Sequence, residues 1–556
     1  MSGKQALIEL LCAEEVEYVF GIPGATEIHF LDALEHHAPD IHYVLGLQEA
    51  ICVGIAEGYS RATGRPAFLN LHTAPGLASA MGLLHNASQG KIPLVVTVGQ
   101  NDSRLLQREP HLTGDIVGMG KIYAKWSTEL IHAEDLPVVI PRAFKTAMQA
   151  TSGLVVVSIP QDVLTQEFDF IPSSRSMVSS TVRLHADPQA MAQAVAALAE
   201  ARNPVIMVGS GVSRSGALDE IVHFAQLIGA CVYQEWMSDV NFPVTHPQYL
   251  GDLDPSSPKA QEVYKDMDVL IGVGCPLFAH SSLIPAHVLL PSDPYVIHIE
   301  DNPREIGKNI FTDCDLQGDV KSTLTGLNAA LEAGLSEEAR RQAAQRIEEI
   351  SRQKAAAVAA WRTELGQSPD TTPIPIPRML SELERAVGPE TIVVDEAWSS
   401  SAALRKTLPL TRPNSFFRSR RGGSIGAGLP LAVGVQLGLP ERQVLAVVGD
   451  GSAAWSMQSL WTAARYHLPV TFVIVNNSAY RMVKLSWKAI IGDYPFTESR
   501  EGIDIDEPAI NFSLLAQSMG VKGERVTSAD GLAEKITSAL ESREPHLIEV
   551  MVENTP

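Results

Sequence analysis

Cysteine is scarce and unpaired in this chain. Five occur in 556 residues (Cys12, Cys52, Cys231, Cys275 and Cys314), and no two are spaced as CxxC. That excludes a disulfide framework and a zinc ribbon, and leaves structural thiols of a reducing compartment as the expectation. No basic run occurs, and 43 Lys and Arg against 64 Asp and Glu leave a formal net charge of −21. Nucleic acid and anionic membranes are therefore not expected partners. No apolar stretch approaches the ~20 residues that cross a bilayer. The opening MSGKQALIELLCAEE is amphipathic and lacks the basic and apolar regions of a signal peptide. Short-period repeats are missing too. What remains, 45% hydrophobic and 19% charged, has the balance of a well-packed globular protein, and a cytoplasmic enzyme is the expected class.

Three segments separate by composition. The first, expected over 1–172, alternates helices with the apolar runs EYVFGIPG, PAFLNLHTAPG, PLVVTVG and GLVVVSIPQD. A Ser-rich linker leads to a second unit over 185–335, with strands in PVIMVGSG, DVLIGVG and YVIHIED. A charged helical segment and the proline-rich connector GQSPDTTPIPIP precede a third unit over 370–556. Its strands are TIVVDEA, QVLAVVGD, PVTFVIVNN and PHLIEVMV. The expected fold is α/β, three doubly wound parallel-sheet domains in series. VGSGVSRSG in the middle unit is GxGxxxxG rather than GxGxxG, a weak dinucleotide signal that a tight strand-to-helix turn explains better.

The most informative stretch is GDGSAAWSMQSLWTAARYHLPVTFVIVNN, Gly449 to Asn477. It reads as strand end, helix, strand end, so Asp450 and Asn477 fall at the carboxyl ends of two parallel strands, where open α/β sheets place ligands. An Asp, an Asn and a nearby backbone carbonyl form a hard oxygen set that suits Mg²⁺ bound to phosphate oxygens. Gly449 and Gly451 let a diphosphate approach the backbone, and a helix start near Trp455 would offer N–H donors. Taken alone, an Asp in a GDG turn is more often a turn former than a metal ligand.

The GDG…NN spacing resembles the thiamin diphosphate motif. The third unit, including RGGSIGAGLPLAVGVQLGLPERQ, resembles the decarboxylase and acetolactate synthase branch of thiamin diphosphate enzymes. The resemblance implies that Asp450, Asn477 and the carbonyl of Ala479 hold Mg²⁺ on the diphosphate, beside Gly449, Gly451 and Ser452. It implies that Ile425 lies beneath the cofactor and keeps it bent. It also implies a glutamate on a different domain, and YVLGLQEAICVGIAEG offers Glu49. A glutamate in apolar surroundings can share a proton with the aminopyrimidine ring. On the residues alone, Glu49 could equally cap a helix.

Across nearly the whole chain the pattern is nearest to benzoylformate decarboxylases, through VFGIPGATE, LQEA, LHTAPG and KWS. By that resemblance His72 lies over the substrate carbonyl and relays protons; on the residues alone a lone histidine is more often structural. His280 in GVGCPLFAHSS stands near the place of a second catalytic histidine, one residue early, and is also readable as a loop histidine. The substrate pocket departs from the pattern. Ala25 replaces the serine that holds the substrate carboxylate, and His111 follows REP in place of an apolar residue. Arg420 and Arg421 stand where the family has small or apolar residues, either toward a substrate carboxylate or as a solvated pair, while Trp398 follows VDEA and Met482 follows the metal loop.

The expected function is decarboxylation of a small-molecule 2-oxo acid to an aldehyde, dependent on thiamin diphosphate and Mg²⁺. A carboligase of acetolactate synthase type and a non-catalytic thiamin diphosphate-binding protein are the alternatives. Acetolactate-type relatives often carry FAD in the middle domain, and that stays open here. Because Glu49 and Asp450 lie on different domains, the resemblance implies two chains sharing each site, a homodimer at least and a homotetramer as the expected assembly.

Overall fold

A computed structural model of the protein describes residues 1–172, 176, 183–255, 257–279, 290, 293–492 and 500–555. It contains three six-stranded sheets, and every strand pair in them is parallel. The first sheet comprises β1 Tyr18–Gly21, β2 His42–Leu45, β3 Ala67–Leu71, β4 Leu94–Gln100, β5 Trp126–Glu129 and β6 Val155–Pro160, in the order β2-β1-β3-β4-β6-β5. The second comprises β7 Pro204–Val208, β8 Cys231–Gln234, β9 Tyr249–Asp252, β10 Val269–Val273, β11 Tyr295–Glu300 and β12 Cys314–Gln317, ordered β12-β11-β10-β7-β8-β9. The third comprises β13 Ile392–Glu396, β14 Phe416–Arg418, β15 Val444–Gly449, β16 Val470–Asn476, β17 Lys522–Val526 and β18 His546–Met551, ordered β14-β13-β15-β16-β18-β17.

Central strands such as β3, β4, β7 and β16 are buried at every position. Helices cover both faces of such a sheet, so the strands read as unbroken apolar runs. VGSGVSRSG ends β7 and opens the short helix Ser210–Ser215. The charged segment forms one 30-residue helix, Glu337–Gly366, started by the Ser336 side chain accepting the Ala339 N–H. Among the described residues no helix is long and apolar enough to cross a membrane.

The first and third units share one core. The helix Glu49–Thr63 begins where the Gln48 side chain accepts the Ile51 N–H and stops at Gly64, φ +70°. It packs on the helix Gly428–Gly438 with the backbones nearly touching, since a Cβ on Gly434 would stand 1.9 Å from the Ile55 carbonyl oxygen. Ile51, Ile55 and Leu83 thereby join Leu431, Val435 and Ile474 in a single buried cluster. The middle and third units also share a buried apolar cluster, with Leu324 and Leu331 beside Leu383 and Val393 among its members, and charged groups tie all three units together. Arg61 reaches Glu57 at 2.9 Å, the Arg418 carbonyl at 2.9 Å and Asp239 at 2.5 Å, and the Arg420 Nε donates to the same Asp239 at 2.8 Å.

Candidate functional site

Strands β15 and β16 run side by side with Gly449 paired to Val475, which brings Asp450 level with the residues that leave β16. The helix after β15 starts at Asp450 itself rather than near Trp455, because the chain turns into helix directly at the glycine-flanked acid. Asp450 is 2% exposed; its Oδ1 accepts the Gly451 N–H at 2.9 Å, and its Oδ2 is buried with no hydrogen-bond partner. Burial pushes this carboxyl up to about 7, against the N–H groups of Gly451, Ser478, Ala479 and Asn477, which pull it down. Desolvation without a hydrogen bond of its own makes Oδ2 costly to bury in the charged form. Among the described residues no group of three His, Cys, Asp or Glu side chains is arranged to hold a metal ion.

The two asparagines differ in their partners. Asn476 turns into the sheet, its Nδ2 donating to Glu549 at 2.7 Å and its Oδ1 accepting the Ser478 N–H at 2.9 Å. Asn477 is half-buried beside Asp450, and its Oδ1 accepts the Ala479 N–H at 3.1 Å. Ser478, which follows them, has φ +56°, a left-handed turn directly after the strand. Gly449 is half-buried and Ser452 buried in the same turn.

His72 leaves the end of β3 and caps the helix Thr73–Gln89. Its Nδ1 lies 2.7 Å from Glu27 Oε2, and the same oxygen accepts the Gly24 N–H at 2.8 Å. The Thr26 hydroxyl donates to Glu27 Oε1 at 2.6 Å and sits 3.2 Å from His72 Nδ1. Glu27 is 2% exposed, a buried carboxylate that accepts the Gly24 N–H and the Thr26 hydroxyl. The ring lies directly on Gly24, where a Cβ would fall 2.2 Å from Nδ1. Thr73, the next residue, is β-branched and held at φ +50°, a strain of roughly 1–3 kcal/mol that tight surroundings impose at functional sites. The ring is thus held through Nδ1.

Glu49 is the first residue of its helix, half-buried, with Oε1 3.2 Å from where a Gly76 Cβ would stand. Ile425 is half-buried in the turn ahead of the Gly428–Gly438 helix. Ala25 is exposed at the start of the turn Ala25–Glu27, and His111 is exposed. Trp398 has the Arg418 guanidinium 5.3 Å from its ring centre and a buried Nε1 without a partner. Met482 is 37% exposed on the helix Arg481–Ile491. Arg421, at φ +58°, is half-buried and paired: its Nε lies 2.8 Å from Glu235 of the middle unit. Arg420 is buried against Asp239, so both guanidiniums already have carboxylate partners. His280 lies outside the described residues.

Sequence reasoning missed Glu27 and a second buried acid, Glu396. The only signals were an acid three residues after Gly24 and an acid at the end of β13. Both become informative once their hydrogen bonds are seen.

Three family models cover most of the chain: the N-terminal thiamine pyrophosphate-binding domain over residues 1–119, the central domain of the same enzymes over 191–327 and their C-terminal thiamine pyrophosphate-binding domain over 399–550. A benzoylformate decarboxylase of Pseudomonas aeruginosa is 30% identical over 552 residues, 98% of each chain. A probable acetolactate synthase large subunit of Methanocaldococcus jannaschii is 28% identical over 564 residues, 100% of this chain and 92% of that one. The solved structure of a thiamine diphosphate-dependent 4-hydroxybenzoylformate decarboxylase from Rhodococcus jostii superposes with a TM-score of 0.86 at 29% identity, covering 100% of this chain and 99% of the other. The chain belongs to the thiamin diphosphate-dependent enzymes of the decarboxylase and acetolactate synthase family.

Proposed function

We propose that the protein is a thiamin diphosphate- and Mg²⁺-dependent decarboxylase that consumes a proton and converts a 2-oxo acid to an aldehyde and CO₂. The observation that carries this is Asp450, buried with one unpaired oxygen beside Asn477–Ala479 in a thiamine pyrophosphate-binding domain. Asp450, Asn477 and the Ala479 carbonyl would hold Mg²⁺, with Gly449, Gly451 and Ser452 along the diphosphate and Ile425 beneath the ring system. The bound cofactor supplies a sink for the electron pair that CO₂ leaves behind. Glu49 holds a proton at the aminopyrimidine. His72, steadied by Glu27, takes and returns a proton through Nε2.

Ala25, His111, Trp398, Arg421 and Met482 are assigned to the substrate pocket, and His280 to a second proton-transfer role. Ala25 offers no hydroxyl, and the neighbouring Thr26 hydroxyl is already engaged by Glu27. A substrate carboxylate must therefore find another donor, and benzoylformate is expected to be a secondary substrate behind 2-oxo acids with flexible or polar side chains. Two chains sharing each site, as a homodimer or homotetramer in the cytoplasm, complete the proposal. The exposed apolar side chains of Val483, Trp487, Ile490 and Ile491 beside Met482 support an assembled form.

Acetolactate synthase relatives along the entire chain favour a second reading, in which the product is a 2-hydroxy ketone formed by adding the activated fragment to another carbonyl. A panel of aromatic, aliphatic and polar 2-oxo acids, with CO₂ and organic products followed together, separates the two. Aldehyde in step with CO₂ supports the decarboxylase; hydroxy ketone supports the carboligase. No CO₂ from any member would leave a binding protein.

A further inference from the structure

The turn Gly422–Gly428, which carries Ile425, is held from both sides by side chains outside it. On one side stands Asn86, from the helix Thr73–Gln89 of the first unit. Its Nδ2 donates to the Ser424 carbonyl at 2.8 Å, and its Oδ1 accepts the Ser424 N–H at 3.0 Å. One buried side chain, 1% exposed, thus satisfies both backbone groups of a residue 338 positions away. On the other side stands Glu396, at the end of β13 and 3% exposed. Its Oε1 accepts the N–H groups of Gly426 at 2.9 Å and Ala427 at 3.2 Å, and its Oε2 accepts that of Gly428 at 2.6 Å. Ile425 lies between the two clamps. Just upstream, Arg420 and Arg421 are anchored to Asp239 and Glu235 of the middle unit. Each of the three units therefore grips one stretch of backbone.

We propose that Asn86 and Glu396 are positioning residues that set the turn around Ile425 before the cofactor arrives, so that Ile425 meets the cofactor without a rearrangement. This rests on the reading of Ile425 as the residue beneath thiamin diphosphate. Glu396 does more than end a helix, since two of its three N–H donors precede the helix Gly428–Gly438. Asn86 adds a bond that no local element requires. A turn fixed in advance spares binding the cost of ordering it.

Two measurements test this. Hydrogen exchange of the wild-type apoprotein should show slow amides at Ser424 and Gly426–Gly428, with little added protection from thiamin diphosphate and Mg²⁺. Fast exchange that becomes slow only with cofactor overturns the proposal without any variant. Secondly, Asn86→Ala and Glu396→Gln should weaken thiamin diphosphate binding about 10–100-fold, the usual cost of losing an outer-shell support. They should also alter the near-ultraviolet circular dichroism of the bound cofactor, while Glu396→Asp recovers part of the affinity. Folded variants with wild-type affinity and dichroism overturn this inference alone. A wild-type protein that binds no thiamin diphosphate overturns the cofactor reading and this inference with it.

Discussion

Replacing Asp450 with Asn should stabilise the apoprotein and abolish cofactor binding at once. The folded carboxyl is pushed from 3.8 up to about 7, so the ionised form is disfavoured in the empty site. At ~1.36 kcal/mol per pKa unit, that is a burden of roughly 4 kcal/mol at pH 8. Asparagine removes the charge but puts a buried donor where Oδ2 has no partner, at about 1–3 kcal/mol. The net gain for Asp450→Asn at pH 8 is roughly 1–3 kcal/mol. The sign with pH follows from linkage. The folded pKa lies above the unfolded one, so the folded wild type binds more protons between them, and its stability falls as pH rises through that window. Lowering the pH toward ~5 should relieve about half of the burden and erase the advantage of the variant. The assay is thermal and urea unfolding of both proteins after chelation, at pH 8 and pH 5, followed by addition of Mg²⁺ and thiamin diphosphate. Wild type should gain stability from the ligands and the variant should not. An apo variant no more stable than wild type at pH 8, with a gap that ignores pH, would refute the picture of a strained carboxylate. A variant still stabilised by the ligands would refute the clamp.

Glu27→Gln leaves His72 without its charged partner and should lower kcat by about 10²–10⁴ with cofactor affinity retained, as read by steady-state kinetics beside a cofactor titration. Equal turnover would return the pair to a structural role. Glu49→Gln should keep the fold and bind thiamin diphosphate while slowing exchange of the cofactor C2 proton by about 10²–10⁴, which deuterium exchange measures directly; an unchanged rate removes Glu49 from proton handling. Gly434→Val drives a side chain into the Ile55 carbonyl and should lower the melting temperature by the equivalent of about 1–3 kcal/mol or more, and a variant as stable as wild type would contradict the close helix crossing.

The central strands were legible in the amino-acid sequence because burial on both faces demands unbroken apolar runs, as in LAVVG of β15 and TFVIV of β16. That pattern supplied the α/β class and placed Asp450 and Asn477 at neighbouring strand ends. The edge strands were not legible. β2, β5, β9 and β17 are short and partly open to solvent, β12 alternates buried and exposed residues, and β14 has only three residues. An edge has one neighbour and less to bury, so its composition resembles that of a loop. The side-chain partnerships were likewise decided only in three dimensions. Arg420 and Arg421 read equally as pocket residues or surface charges until the middle unit brought Asp239 and Glu235 against them. Asn86 and Ser424 are joined across 338 residues, and His72 finds Glu27 across 45. Local spacing carries periodicity, turns and strand ends. Which buried acid meets which distant donor depends on how whole sheets dock, and no short window of sequence contains that.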